Sequence, residues 1–174
     1  MFIIVITLLR LIWSYVVPLG ADEAYYFDWS KDIHLSYYDH PPGVSWLAFA
    51  GEIFFGENQF GARFGSIVAQ LISLVSLVAI MKVYNSKASA KQVRTLVGIS
   101  ALAPIISLGS FFIMPDIGLI LFLSLLLLKV SLLLKKEHLS IKDALICGVL
   151  WGMAFNFKYH ALAIGGGSMF ALFT

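Results

Sequence analysis

The sequence predicts an all-α protein, built as a polytopic bundle of membrane-spanning helices. Hydrophobic residues make up 60% of its 174 residues, charged residues only 13%, and the mean hydropathy is +0.89. These values lie outside the range of soluble domains. Hydrophobic windows near the 20 residues that cross a bilayer core recur along the chain, and basic residues cluster between alternate windows. We therefore expect a multi-pass membrane protein and no nucleic-acid partner.

Six hydrophobic windows are candidate spans. They cover about residues 2–19, 61–84, 96–114, 117–134, 144–157 and 161–174. The last two are too short for a full crossing at about 1.5 Å per residue, and Lys158-Tyr159-His160 separates them. Polar backbone at membrane depth is tolerated where it is buried in protein or lines a wet cavity, so this interruption indicates a cavity. Because the chain ends inside the sixth window, we expect it to be the N-terminal part of a longer protein.

The first window could be mistaken for a secretory signal. It lacks a basic leading region, however, and Arg10 interrupts its apolar run. Leu19-Gly20-Ala21 matches a cleavage site only weakly, so an uncleaved first span is expected. The single cysteine, Cys147, lies in an apolar stretch, which excludes a disulfide framework and a cysteine metal site within this sequence.

Charge patterning predicts the orientation of the bundle. Eight of the twelve basic residues lie in or beside two loops: Lys82, Lys87, Lys91 and Arg94 between the second and third windows, and Lys129, Lys135, Lys136 and Lys142 around the end of the fourth. By the positive-inside rule these loops are cytoplasmic. The loop of residues 20–60 and the turn at 114–116 are then extracytoplasmic, and they carry eight of the ten acidic residues.

The loop of residues 20–60 is predicted to contain two short helices and a turn. Residues 22–29 suit a helix with acidic groups at its start, where the helix dipole favours them. Pro41-Pro42 ends whatever precedes it, because proline lacks an N–H and restricts the residue before it. Residues 43–55 are apolar, aromatic-rich and too short to span, so they are expected to form an interfacial helix that roofs the site at lipid level.

Carboxylates next to the spans are the main candidates for chemistry. Asp22 and Glu23 directly follow the first span, and Asp116 lies in the short turn between the third and fourth. Adjacent carboxylates near low-dielectric lipid can acquire the perturbed proton affinity that a general base needs. The plain alternatives are a solvated helix N-terminus for Asp22 and Glu23, and a helix-start residue after Pro115 for Asp116.

Two further positions could bind a ligand. Asp39 with His40 could hold a divalent cation, or a protonated His40 could donate to a phosphate, although a solvated turn would look the same in sequence. Lys158 is costly inside a membrane and so indicates a functional site. Snorkelling of its ammonium to the nearer interface is the alternative.

Several segments together resemble the N-terminal part of polyprenyl-phosphate-sugar-dependent glycosyltransferases of the GT-C class. They are Asp-Glu-Ala-Tyr-Tyr at 22–26, Leu-Ser-Tyr-Tyr-Asp-His-Pro-Pro-Gly at 35–43, Phe-Gly-Ala-Arg-Phe at 60–64, Met-Pro-Asp at 114–116 and Phe-Lys-Tyr at 157–159. This class includes the protein O-mannosyltransferases and lipid A aminoarabinose transferases of glycosyltransferase families 39 and 83. The resemblance covers essentially the whole chain, and the long first-loop motif is its most specific part.

The resemblance implies transfer of a sugar from an undecaprenyl- or dolichyl-phosphate carrier to a lipid or protein acceptor. The site would lie on the extracytoplasmic face of a bacterial inner membrane. Asp22 would be the general base of a single inverting displacement, which needs no enzymic nucleophile. Glu23 is also predicted to be catalytic, and Asp116 would support the acceptor or the base.

The resemblance also implies a set of substrate-binding residues: Asp39, His40, Lys158, Tyr25 and Arg63. Asp39 and His40 would lie near the donor headgroup, and Lys158 would neutralise the lipid phosphate. Members of the class differ in metal use, so a divalent cation at Asp39 and His40 is left open. They also continue through further spans, which leaves open whether this chain acts alone.

A transporter or channel subunit with an acidic outer vestibule is the chief alternative, because interrupted short helices also occur in transporters. A transporter should place coupling carboxylates near the bilayer midplane, whereas every acidic residue here flanks a span. A non-catalytic scaffold would need no outer carboxylate cluster. The charge pattern therefore favours the transferase.

Overall fold

A computed structural model describes residues 2–163, and within that range the chain is helical and contains no strand, which confirms the all-α prediction. The helices are α1 (Phe2–Val16), α2 (Ala21–Lys31), α3 (Gly43–Phe55), α4 (Gln59–Tyr84), α5 (Ala90–Leu102), α6 (Pro104–Phe111), α7 (Pro115–Leu133) and α8 (Ile141–Phe155). Helices α4 and α7 are long and apolar enough to cross a membrane. Helices α1 and α2, bent by 79° at their junction, meet the same test together as one broken span.

Helix α4 is the centre of the bundle and contacts α1, α3, α5, α6 and α7. It begins at Gln59 because the side chain of Asn58 accepts hydrogen bonds from the N–H groups of Phe60 and Gly61, both at 3.0 Å. Apolar side chains of α4 and α7 then form a shared core, which includes Ala69 and Ile117. The position of α4 therefore fixes most of the other helices.

The connecting segments gather at two ends of the bundle. At one, the segments between α1 and α4 meet the turn before α7, and we call this the site end. At the other, the loop after α4 meets the loop after α7, where the Lys135 ammonium donates to the carbonyl oxygen of Val83. The lysine-rich loops lie together at this second end, which we call the basic end.

The predicted span of residues 96–114 is occupied by two consecutive helices, α5 and α6. Pro104 has no N–H to continue the helix of α5, and its fixed φ suits the first position of a new one. The predicted span of residues 161–174 lies almost wholly outside the described residues. The two helices expected in the first long loop are present as α2 and α3.

Small residues allow α3 to lie directly against α4. A Cβ atom added at Gly65 would overlap the carbonyl oxygen of Leu47, and one added at Gly51 would overlap that of Gly61. Such close backbone approach is what small residues provide between membrane helices. Helix α3 is therefore held firmly, and its first turn keeps a fixed position at the site end.

Asp143 joins α7 to α8 at the basic end. Its buried carboxylate accepts hydrogen bonds from Lys129 (2.7 Å), Lys136 (3.0 Å) and both the N–H and hydroxyl of Ser140 (3.1 and 2.9 Å). Lys129 first, and then the backbone of Ser140, hold the pKa of Asp143 well below its usual range. This residue therefore stays ionised and keeps the two helices paired.

Glu52 joins α3 to α2 through a hydroxyl group. The Ser30 Oγ atom lies 2.6 Å from the carbonyl oxygen of Phe27 and 2.6 Å from Glu52 Oε1. The Ser30 hydroxyl can donate to either acceptor but has only one hydrogen, so the carbonyl oxygen of Phe27 and the Glu52 carboxylate share it. Burial raises the pKa of Glu52 from its ordinary value of 4.5, and the charge of Glu57 adds to this, whereas the hydrogen bond with Ser30 and the charge of Lys31 act in the opposite direction.

We expect the stability of the protein to fall as pH rises above about 4.5, the ordinary pKa of glutamate. Above that pH the unfolded chain releases the Glu52 proton while the folded protein keeps it. The folded state then binds more protons, so its stability decreases until the pH passes the folded pKa of Glu52. Thermal unfolding measured as a function of pH should show this slope, and Glu52→Gln should flatten it. An unchanged slope in Glu52→Gln would assign the pH dependence to another group.

Candidate active site

A buried ion pair between Glu23 and Arg63 forms one wall of the site. The Arg63 Nε atom donates to Glu23 Oε1 at 2.7 Å, and its Nη2 atom donates to Oε2 at 2.6 Å. The guanidinium also donates to the carbonyl oxygens of Val17 (2.6 Å) and Pro18 (3.0 Å). Arg63 is fully buried and Glu23 is 3% exposed, so the bidentate pair is shielded from solvent.

The same carboxylate also accepts two backbone hydrogen bonds. Glu23 Oε2 accepts from the N–H of Gly20 at 3.0 Å, and Oε1 accepts from the N–H of Ile113 at 3.1 Å. The ion pair thus connects the end of α1, the start of α2, the start of α4 and the turn before α7. We call this arrangement the clamp. Its hydrogen bonds fill the acceptor positions of Glu23 and most donors of Arg63.

The clamp borders a hollow of about 320 Å³, a size at the lower end of ligand pockets. The hollow is lined by Gly20, Ala21, Asp22, Glu23, Tyr26, Phe112, Ile113 and Met114. Asp22 is exposed, unlike its neighbour Glu23. Among the two adjacent carboxylates, Asp22 is therefore the one whose oxygens face solvent.

Tyr26 lies among three carboxylates from separate segments. Burial raises the pKa of its phenol, and the negative charges of Asp22, Asp39 and Asp116 raise it further. Its ring centroid is 6.0 Å from that of His40. Tyr26 lines the hollow together with Asp22, so the charges of all three segments act on a side chain of the hollow. Tyr26 belongs to the sequence motif at 22–26 but was assigned no role there, although its spacing of four residues from Asp22 on a helix was a usable signal.

The Asp116 carboxylate is paired with Lys158. The Lys158 Nζ atom lies 2.7 Å from Asp116 Oδ1, and both side chains are half-buried. This pair joins the first turn of α7 to the segment that follows α8. The ammonium is therefore held by a specific carboxylate at the site end.

Phe157 positions that lysine. A Cβ atom added at Gly118 would overlap the Phe157 ring, and one added at Gly43 would overlap both the ring and the carbonyl oxygen of Asn156. The Gly43 N–H donates to this same carbonyl at 2.7 Å. The start of α3, the start of α7 and the end of α8 thus meet around one buried ring.

The segment between α2 and α3 is ordered by Tyr37, a residue of the sequence motif at 35–43 that was assigned no role there. Its ring stacks on that of Trp29, with centroids 4.1 Å apart and planes within 2°. Its hydroxyl lies 2.9 Å from the carbonyl oxygens of Trp29 and Asp32. Its own N–H donates to the carbonyl oxygen of His40 at 3.2 Å, which places the turn that carries Asp39 and His40.

Asp39 accepts a hydrogen bond from the hydroxyl of Tyr25 at 3.0 Å, and this bond is the main cause of a raised Tyr25 pKa. Asp39 is exposed and His40 is half-buried. Among residues 2–163, no group of three histidine, cysteine or acidic side chains could hold a metal ion. Asp39 and His40 offer two ligands at most, so a cation there would need further ligands.

The predicted site residues thus fall into two sets. Asp22, Asp39, His40, Asp116 and Lys158 lie around the hollow or the segments next to it. Glu23 and Arg63 form its buried wall, and Tyr25 lies at the rim beside Asp39. An exposed carboxylate and a held ammonium at one end of a membrane bundle can accept a proton and stabilise an anion.

Comparisons with known proteins indicate the family of this chain. The family model described as dolichyl-phosphate-mannose-protein mannosyltransferase matches residues 39–174. The lipid A galacturonosyltransferase RgtD of Rhizobium johnstonii is 28% identical over 153 residues, which is 87% of this chain and 31% of that protein. The chain therefore spans about a third of the length of this relative. No solved structure matches.

Proposed function

This chain belongs to the dolichyl-phosphate-mannose-protein mannosyltransferase family, and from that membership we propose that it is part of an enzyme that transfers a sugar from a polyprenyl-phosphate carrier. The observation that supports the proposal is the composition of one hollow, which Asp22, Tyr26 and Met114 line. The ring centroid of His40 lies 6.0 Å from that of Tyr26. Asp116, two residues beyond Met114, is paired with Lys158. The acceptor would be a hydroxyl group of a lipid or a protein.

Asp22 acts as the general base. The acceptor hydroxyl donates to its carboxylate, and the acceptor oxygen forms a bond to the anomeric carbon of the sugar. The bond from that carbon to the phosphate oxygen breaks, and its electron pair leaves with the lipid phosphate. The proton remains on Asp22. Such a single displacement inverts the configuration at the anomeric carbon.

Lys158 stabilises the leaving phosphate. Charge develops on the phosphate oxygens in the transition state, and a preorganised cation lowers the barrier most when it does not need to move. The contact with Asp116 at 2.7 Å and the buried ring of Phe157 hold the ammonium in place. His40 is the second candidate donor to the phosphate, because its turn is fixed through Tyr37.

The charges of the opposite end support a site on the extracytoplasmic face. The basic end carries the lysine-rich loops after α4 and α7, which the positive-inside rule places in the cytoplasm. Helix α3, apolar but short, then lies at the outer lipid boundary, where a polyprenyl carrier presents its phosphate. No carboxylate in residues 2–163 lies near mid-depth of α4 or α7, so the coupling carboxylate expected of a transporter is not found in these two helices.

The test is incubation of the complete protein with a panel of sugars linked to polyprenyl phosphate, followed by measurement of free polyprenyl phosphate. We expect release from at least one donor, dependent on an added acceptor. Nucleotide sugars serve as the control, and we expect the protein to transfer no sugar from them. Transfer from a nucleotide sugar, or release from none of the lipid-linked donors, would contradict the proposal.

A further inference from the structure

A second buried polar cluster, which the proposed reaction does not use, lies at the interface of α1 and α4. Arg10 is 1% exposed, Ser66 1% and Gln70 0%. The Arg10 guanidinium donates to Gln70 Oε1 at 2.5 Å and to the carbonyl oxygen of Ala101 at 3.3 Å, and it lies 5.0 Å from the ring centroid of Phe111. All of these partners are electrically neutral.

Four buried polar atoms of α1 and α4 have no hydrogen-bond partner within the part of the chain that the structure describes: Arg10 Nε, Trp13 Nε1, Ser66 Oγ and Gln70 Nε2. Three of them are N–H groups, which can only donate, and the fourth is a hydroxyl, which can donate as well as accept. Arg10 and Trp13 are three residues apart on α1, and Ser66 and Gln70 are four apart on α4, so each pair shares a helix face. The unused hydrogen-bonding capacity is therefore almost entirely that of donors.

The charge of the cluster is also unbalanced. No carboxylate among the described residues forms an ion pair with Arg10. Arg63 lies about 10 Å from Gln70 along α4. Unlike Arg10, it is neutralised by a carboxylate, that of Glu23 at 2.6 Å. Charged side chains inside membrane bundles are normally paired or in contact with water. Positive charge and surplus donors both favour an acceptor that carries negative charge.

We propose that Arg10, Trp13, Ser66 and Gln70 bind a small monovalent anion of the chloride type inside the bundle. A spherical anion accepts hydrogen bonds from several directions, which suits donors that come from two crossing helices. It would also neutralise the guanidinium and hold α1 against α4. The ring of Trp13 packs edge-on against that of Phe112, with centroids 6.0 Å apart, and Phe112 lines the hollow. The anion would thus support the wall of the site.

The test is thermal unfolding of the complete protein in sodium chloride and in sodium gluconate at equal ionic strength. An anion that binds only the folded state stabilises it by mass action. We expect the unfolding temperature to rise by a few degrees from 1 to 100 mM chloride. Bromide should have the same effect, whereas gluconate is too large to enter the site and should have none. Arg10→Gln should remove the chloride effect. Arg94→Gln, which removes an exposed arginine of α5, should keep it.

Equal unfolding temperatures of the wild-type protein in chloride and gluconate would overturn the proposal, and would indicate water or a carboxylate from elsewhere as the acceptor. This comparison needs no variant, so it decides the matter if Arg10→Gln does not fold. A chloride effect that survives in Arg10→Gln would place the anion at another site and would equally overturn it. Neither readout depends on sugar transfer.

Discussion

Replacement of Asp22 by asparagine is expected to lower the rate of sugar transfer by about 10²- to 10⁴-fold, the usual contribution of a general base. Asparagine has nearly the same shape, but its amide cannot take the proton of the acceptor hydroxyl. The clamp is made by Glu23, so the fold and donor binding should be unchanged. Transfer of labelled sugar from polyprenyl phosphate, with thermal unfolding measured in parallel, checks this expectation.

Asp28→Asn is the matched control for this experiment. Asp28 is an exposed carboxylate on the same helix, and its contact with Lys31 is long at 3.9 Å. The same chemical change there should leave both transfer and unfolding close to those of the wild type, since exposed ion pairs contribute little. Turnover of Asp22→Asn at the wild-type rate would remove Asp22 from the role of base.

Replacement of Arg63 by alanine is expected to destabilise the protein by about 3–5 kcal/mol, because it leaves the buried Glu23 carboxylate without its partner. Four chain segments meet at the clamp, so their relative positions should also loosen and transfer should be lost. Arg63→Lys should rescue the protein only in part, since an ammonium cannot form the bidentate contact. Thermal unfolding of the purified variants checks this expectation. The unfolding temperature should be highest for the wild type, lower for Arg63→Lys and lowest for Arg63→Ala.

The double variant Glu23→Gln, Arg63→Met separates the ion pair from general loss of packing. It removes both charges together, so it should be more stable than Arg63→Met alone, and the two single variants with the double variant form a double-mutant cycle that measures the coupling of the pair. Arg94→Ala, at an exposed position of α5, is the control for loss of an arginine. A change of less than about 1 kcal/mol in Arg63→Ala would show that the clamp is not an important source of stability.

The architecture was largely predictable from the sequence, because apolar windows indicate where helices lie and prolines indicate where they end. Windows of apolar residues located the helices, and the proline pair at 41–42 separated α2 from α3. The division of residues 96–114 into α5 and α6 was missed because a hydropathy average does not register the missing N–H of Pro104. The family resemblance is confirmed by the match over residues 39–174.

The candidate site was predictable by residue type but not by pairing. Asp22 and Glu23 are neighbours in sequence, and successive residues of a helix point about 100° apart, so only tertiary contacts decide which of them becomes buried. Those contacts come from Arg63, 40 residues further along the chain. The contact of Lys158 with Asp116 likewise joins positions 42 residues apart. No local sequence pattern indicates that residues so far apart in the chain are in contact.

The buried ring of Phe157 has a consequence for how this family of sequences can change. The ring occupies the space that a side chain at either Gly43 or Gly118 would need. A larger residue at 118 can therefore be accepted only with a smaller one at 157, because the atoms nearest to a Cβ at Gly118 all belong to the ring. At position 43 a smaller residue at 157 gives no relief, since a side chain there would also overlap the backbone carbonyl oxygen of Asn156. We expect homologous chains to vary positions 118 and 157 jointly and to keep glycine at 43.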